Sequence, residues 1–310
     1  MNLKKEQSLF FDIETTGFHA DISAITLIGC CDMNGNVTQW FNEDGLSQKK
    51  ILCEFLDFIK PYDTLISFNG KTFDLPFLVT KIKELKLPAS LDSFFHLDLY
   101  QTLKPFQHLW NLQKFRQKDL EGYLNIQRMD QLSGKKLVTI YQDYLDTKNE
   151  KDKEALLLHN REDLLGLRSI YSLLAYPCLL HKDFSFVSAM IKDDLFIATL
   201  GLTMEIPIVC EYEKAGIHLT LNKKEATLTC PIEQGSLKHY HKDYKDYYYL
   251  PKEDIVIHKS MKSFVDTKSL VRASMDTCYS KFIPSQTFLT NKEDLLSFCS
   301  DTISYVLCEK

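Results

Sequence analysis

Three short stretches of this chain carry acids at spacings that could do chemistry. In "FFDIETTG" (residues 10–17), Asp12 and Glu14 stand two apart inside an apolar, strand-like run. Side chains of a strand alternate faces, so both carboxylates project from one face while Phe11 and Ile13 project from the other. Two ionised carboxylates side by side repel each other and resist burial, so something must compensate them. A solvent-facing edge or a lysine partner would serve. So would a divalent cation, because hard oxygen ligands suit Mg2+ or Mn2+. In "FNGKTFDLPFL" (68–78), Asn69 and Asp74 lie where a short buried strand hands over to a helix. Asp74 there reads equally as a helix cap, and Asn69 as an Asx-turn ending the strand. In "HNREDLLGL" (159–167), His159 and Asp163 are four apart, which on a helix stacks them on one face; a plain surface contact is the competing reading.

The elements that would hold these residues follow from hydrophobic patterning. "SLFFDIE" reads as a strand, and "ISAITLIGCCDM" and "VTQWFNE" flank "NGN", a hairpin signal. Leu46, Ile51, Leu52, Phe55, Leu56 and Ile59 recur at helical spacing, with Ser47 placed as a cap and Pro61 beyond the end. "DTLISFN" and "FFHLDLY" are short strands separated by a helical "DLPFLVTKIKELKL", in which Pro76 falls in the tolerant first turn. Helical stretches are then expected around 112–123, 135–145 and 154–174. Three early strands, then strand–helix–strand, then helices, imply a mixed sheet covered by helices. Past Tyr176 and Pro177 the texture turns to short β-rich runs ("LFIATLG", "GIHLTLN", "EATLTCPI", "DIVIHKS") with fading helical periodicity. We expect a boundary near 177–185, giving an α/β domain over 1–178 and a smaller, mainly β module over 179–310.

Composition narrows the classes. The 310 residues leave room for two domains, and 45% hydrophobic with 25% charged is an ordinary globular balance that excludes disordered and fibrous chains. No apolar run reaches a membrane span and no leader-like apolar segment follows the N-terminal lysines, so a cytoplasmic protein without membrane contact is expected. The nine cysteines include no C-x-x-C pair, which argues against a zinc site and for reduced thiols. The net charge of −5 lacks the basic footprint of a phosphate-gripping protein, but acids gathered around bound cations would account for part of it.

Taken together, the three motifs resemble, in kind and order, those of the DEDD 3′–5′ exonucleases of the ribonuclease-H-like fold, closest to the bacterial YprB-type group. "FFDIETTG" looks like the first exonuclease motif, "FNGKTFDLPFL" the second and "HNREDLLGL" the third. The intervening "LEGYLNIQR" and "LSGKKLVTIYQDYL" are also similar to that group. The resemblance covers roughly residues 8–175 and implies a ribonuclease-H-like mixed five-stranded sheet flanked by helices. It further implies that Asp12, Glu14, Asp74 and Asp163 hold two divalent ions, Mg2+ or Mn2+, roughly 4 Å apart, for in-line hydrolysis of a phosphodiester in single-stranded DNA or RNA. His159 would orient or deprotonate the attacking water. The family places a Tyr at this four-residue spacing in some branches and a His five residues before the Asp in others; here a His stands at the tyrosine-like spacing. A non-catalytic nucleic-acid-binding or assembly module on the same fold, and an internally cutting ribonuclease, are the alternatives.

Substrate contacts are more dispersed. Thr15 and Gly17 follow the first acid pair, and Gly would let a substrate backbone come close, although a plain turn competes. Asn69 would face the substrate end or support a ligand. Asp98 could be a fifth acid, but a cap or turn role is the simpler reading. Residues 104–118, "KPFQHLWNLQKFRQK", interleave basic side chains, including Lys114 and Arg116, with aromatics that could stack bases; the plainer reading is one amphipathic helix with solvated lysines. The tyrosine-rich "KHYHKDYKDYYYL" (238–250) reads either as a nucleic-acid contact or as an exposed strand with half-buried rings.

Overall fold

A computed structural model describes residues 7–265 and 269–308, and the chain forms two compact units, 1–174 and 175–310. In the first unit, strands β1 (Ser8–Thr15), β2 (Ile25–Cys31), β3 (Val37–Phe41), β4 (Thr64–Ser67) and β5 (Phe95–Asp98) form one sheet in the order β3-β2-β1-β4-β5. The pairs β1–β2 and β2–β3 are antiparallel, whereas β1–β4 and β4–β5 are parallel. The expected mixed five-stranded sheet is therefore present. The β2–β3 hairpin turns on Asp32, whose carboxylate accepts the Asn34 and Asn36 N–H groups at 2.8 and 2.9 Å, and on Gly35 at φ +93°. Burial alone would raise the Asp32 carboxyl, but the hydrogen bonds from Asn36, Asn34 and Gly35 together hold it below the usual range.

Helices α1 (Gln48–Phe58) and α2 (Asp74–Glu84) cover one face of the sheet. Leu9, Phe11 and Ile13 of β1 pack there with Ile51, Leu52, Phe55, Phe77, Leu78 and Ile82. Burying each of these side chains fully is worth about 1.5–3 kcal/mol. The alternate residues of β1 turn toward α6 (Glu150–Ile170), where Phe10 meets Tyr171 edge-on at 5.7 Å. That alternation is what sends Asp12 and Glu14 away from the apolar layer. α6 starts earlier than expected, because the Asn149 side chain caps it by accepting the Lys151 N–H.

Between β5 and α6 lie α3 (Leu99–Leu103), α4 (Gln117–Tyr123) and α5 (Gly134–Thr147). The single amphipathic helix expected over 104–118, and the helix expected from 112, are not there. Residues 104–110 form a 3-10 helix with Pro105 in its first turn, Asn111 takes a left-handed conformation (φ 51°), and α4 begins only at Gln117. Trp110 and Phe115 stack on each other inside the unit (6.1 Å, 17°), so these two rings are core and not platforms for bases.

In the second unit α7 (Ala175–Leu180) leads into β6 (Phe184–Lys192), β7 (Leu195–Leu202), β8 (Cys210–Lys214), β9 (Ile217–Asn222) and β10 (Glu225–Pro231), an antiparallel sheet ordered β6-β7-β10-β9-β8. Small sheets follow: β11 (Leu237–Tyr240) with β15 (Tyr279–Phe282), and β12 (Tyr247–Leu250) between β13 (Ile255–His258) and β14 (Val271–Arg272). The mainly β character holds, with half-buried rings at Tyr247–Tyr249. The chain then adds α8 (Gln286–Thr290) and a 16-residue helix, α9 (Lys292–Leu307), that patterning did not anticipate. The reason lies in its surroundings. Ser300, Thr302 and Ser304 are buried along with Leu295, Phe298 and Ile303, so polar and apolar residues share its inner faces and no clean stripe forms.

Candidate functional site

The site is built where β1, the start of α2 and the middle of α6 meet. Asp74 is the first residue of α2, whose capping position is Phe73, so it is not the cap that its sequence context allowed. It is 6% exposed and its Oδ1 accepts the Ile13 N–H at 3.2 Å, which ties the second acidic motif to the first strand. On α6, His159 and Asp163 do stack: Nε2 of His159 lies 3.2 Å from Asp163 Oδ2 and 3.7 Å from Glu14 Oε1. Potential ligand atoms of Glu14, His159 and Asp163 all fall within 4.8 Å of one another. Asp12 lies within Coulombic range of Asp74, Glu14 and Asp163. The four acids and the histidine are thus brought to one place.

Asn160, fully buried beside His159, went unread in the sequence. Its Nδ2 donates to Asp12 Oδ2 at 2.8 Å, and its Oδ1 accepts from Gln39 Nε2 at 2.8 Å, so a side chain on β3 orients the amide that orients the acid. This approach of helix to sheet needs Gly29, the residue of β2 paired with Asp12. A methyl group there would lie 2.0 Å from Asn160 Oδ1 and 2.7 Å from Leu164 Cδ1. Gly29→Ala should therefore cost about 1–3 kcal/mol by overpacking and displace Asn160 from Asp12. Denaturant unfolding checks the first effect, and a variant as stable as the wild type would refute it.

Asp98, 1% exposed, takes the cap role. It accepts from Asn69 N and Lys71 N at 3.0 Å each and from Gln101 N at 3.3 Å, clamping the turn that precedes Asp74 onto the start of α3. Asn69 sits in that turn with φ 65°, a left-handed conformation that Asn tolerates. The Thr15 hydroxyl donates to Gly17 O at 2.8 Å, and a methyl group on Gly17 would lie 2.7 Å from Ser23 Oγ, which would have to turn away. Lys114 is exposed, and Arg116 is exposed and forked onto Asp119 at the start of α4. Lys114 stands in the loop before α4 and Arg116 at its cap, and among the described residues no ion pair joins either to the acid cluster.

The loop between α4 and α5 supplies two more groups that patterning missed, Arg128 and Asp130, and α6 supplies a third, Glu162. Arg128 forms a bidentate pair with buried Glu121 and reaches Asp163 Oδ1 at 2.5 Å. His159 Nδ1–H donates to Asp130 Oδ2 at 2.6 Å, and Asp130 Oδ1 accepts the Leu132 N–H. Glu162 accepts the backbone N–H groups of Met129 and Asp130 at 3.0 and 2.9 Å.

Electrostatics divide the site. Burial, then repulsion by Asp74, Glu14 and Asp163, drives the Asp12 carboxyl well above its ordinary range. Burial also carries Glu14 to about 7, despite His159, and Asp74 to about 7, despite the Ile13 N–H. Burial alone would lower His159, but the hydrogen bond and charge of Asp163, with Glu14 and Asp130, raise it to about 9. Asp163 is held below the usual range: burial opposes this, but His159 and Arg128 outweigh it. The cations present thus serve Asp163, while Asp12, Glu14 and Asp74 are left under-compensated. An all-oxygen donor set short of positive charge suits a hard divalent cation, so the residues fit such an ion.

The RNase_H_2 family model, described as the RNase_H superfamily, matches residues 9–175. No curated protein shows significant similarity. Among solved structures, the family B DNA polymerase from the hyperthermophilic archaeon Pyrobaculum calidifontis is similar at 19% identity and a TM-score of 0.45, over 56% of this chain and 25% of the polymerase. The chain thus spans about a quarter of that relative's length. Through the unit that gathers the acids, this chain belongs to the RNase H superfamily.

Proposed function

We propose that the chain is a metal-dependent 3′–5′ exonuclease of the DEDD type, YprB-like, acting on single-stranded DNA or RNA in the cytoplasm. Its catalytic domain would span 1–178, with 179–310 an accessory β module. One observation carries the reading: acids from three separated motifs meet beside His159 with too little positive charge to balance them. Asp12, Glu14, Asp74 and Asp163 would hold two Mg2+ or Mn2+ ions. Bound there, such ions supply charge to the developing phosphorane and make water more acidic. Bound cations would relieve the negative charge of Asp163 and Glu14 that keeps His159 protonated, and Nε2 of the neutral ring, turned toward those acids, would then take the proton of the attacking water. Asn160 keeps Asp12 in register, and the Asp98-clamped turn keeps Asp74 at the end of the strand. Thr15, Gly17 and Asn69 would contact the substrate near these acids, and Lys114 and Arg116 would meet its phosphates farther along.

The test is incubation with single-stranded DNA and RNA, labelled at either end, with Mn2+ and with EDTA. A ladder shortening from the 3′ end, abolished by EDTA, is expected. Internal fragments would replace the exonuclease reading with an internally cutting ribonuclease, and binding without products would make the unit a non-catalytic module.

A further inference from the structure

We propose that Asp130 is the positioning residue of His159, a loop carboxylate that fixes which ring nitrogen carries the proton and where the other one points. The inference rests on the reading of His159 as the proton acceptor of the reaction. Asp130 lies outside all three acidic motifs, yet it is only 7% exposed and makes a 2.6 Å hydrogen bond to Nδ1. A buried carboxylate needs partners, and its others are modest: the Leu132 N–H at 2.9 Å and the half-exposed Lys118 ammonium at 3.8 Å. Because a carboxylate only accepts, Nδ1 must donate. When the ring is neutral its lone pair is then at Nε2, which faces Glu14 and Asp163.

The loop itself is latched to the same turn of α6. Glu162, between His159 and Asp163 on that helix, receives the N–H groups of Met129 and Asp130, so the segment cannot drift from the ring it orients. Two residues earlier, Arg128 engages Asp163. The loop therefore holds both α6 side chains of the site, one by a carboxylate and the other by a guanidinium.

Asp130→Asn is the informative change. It keeps Oδ1 for the Leu132 N–H, but sets an amide N–H against Nδ1, which must then accept. The ring proton moves to Nε2, the wrong nitrogen for a base. Loss of such an orienting partner typically costs about 10- to 100-fold, and the loss should fall in kcat while KM and Mn2+ affinity stay within about twofold. Glu162→Gln, which removes one of two acceptors from the latch, should lower kcat by a smaller factor in the same pattern. Long-range 1H–15N spectra of the His159 ring, recorded at a pH where the ring is neutral and assigned with His159→Gln, read the proton directly: on Nδ1 in the wild type and on Nε2 in Asp130→Asn. An unchanged kcat in Asp130→Asn, or a wild-type Nδ1 without a proton, overturns the proposal. A wild-type protein with the Nδ1 proton but no nuclease activity would instead count against the exonuclease reading and leave Asp130 as the orienting group of a ring with another task.

Discussion

Asp12→Asn should lower nuclease turnover on the order of 10³-fold or more, at or beyond the 10²–10³-fold usual for one lost transition-state contact, while the metal-free variant unfolds no more easily than the wild type. The two halves of that result come from one geometry. The Asp12 carboxylate is buried beside Asp74, Glu14 and Asp163 and is helped only by the Asn160 amide, so its ionised form strains the folded state. Asn removes the charge and keeps an acceptor for Asn160. Asp163→Asn should stop turnover as completely but destabilise the fold, because Asp163 is the acid that His159 and Arg128 hold ionised. Breaking one partner of a buried pair typically costs about 3–5 kcal/mol. Comparing turnover and denaturant midpoints of the two variants checks the pattern. Wild-type turnover in either would remove the site, and equal destabilisation of both would refute the division of charge.

Much of this centre is legible in sequence because strands and helices impose simple periods on the residues that matter. Asp12 and Glu14 share a face through the period of 2, and His159 and Asp163 share one through the near-period of 4. The mixed character of the sheet follows from a hairpin signal and a strand–helix–strand unit, though the order of its strands does not. What escaped depends on chain reversals that carry no period. Arg128 and Asp130 lie in a loop, and they meet α6 where Glu162 captures that loop's backbone. Asn160 stands inside the third motif, but its role needs Gln39 and the bare Cα of Gly29, both more than a hundred residues away. The stretch 104–118 misled for a related reason: a left-handed Asn111 ends the first helical turns and cuts a pattern that its aromatic spacing made look continuous.

Divalent cations should stabilise the protein more at pH 8 than at pH 5, and the sign follows from the acids. Glu14 and Asp74 titrate near 7 in the folded state, above their ordinary values of 4.5 and 3.8. A group raised in this way favours folding below its unfolded value, and that advantage is lost as pH climbs through the folded one. His159, raised from 6.5 to about 9, acts in the same direction, with its contribution fading between those values. Asp163, which is lowered, runs oppositely, and its contribution disappears only when pH falls below the usual carboxylate range. The metal-free protein should therefore lose stability between about pH 5 and pH 8 as its acids ionise against one another. Those are the conditions in which Mn2+ or Mg2+ gains most, since protons no longer compete for the same oxygens. At a hundredfold excess over Kd the ion is worth about 2.7 kcal/mol, which for a unit of this size raises Tm by roughly 5–11 °C. At pH 5 the increment should shrink to a small fraction of that, and EDTA should reverse it at both values. Thermal melts with and without Mn2+ across this range are decisive: an increment that ignores pH, or one that survives intact in Asp12→Asn, would mean that the cation binds somewhere other than among these acids.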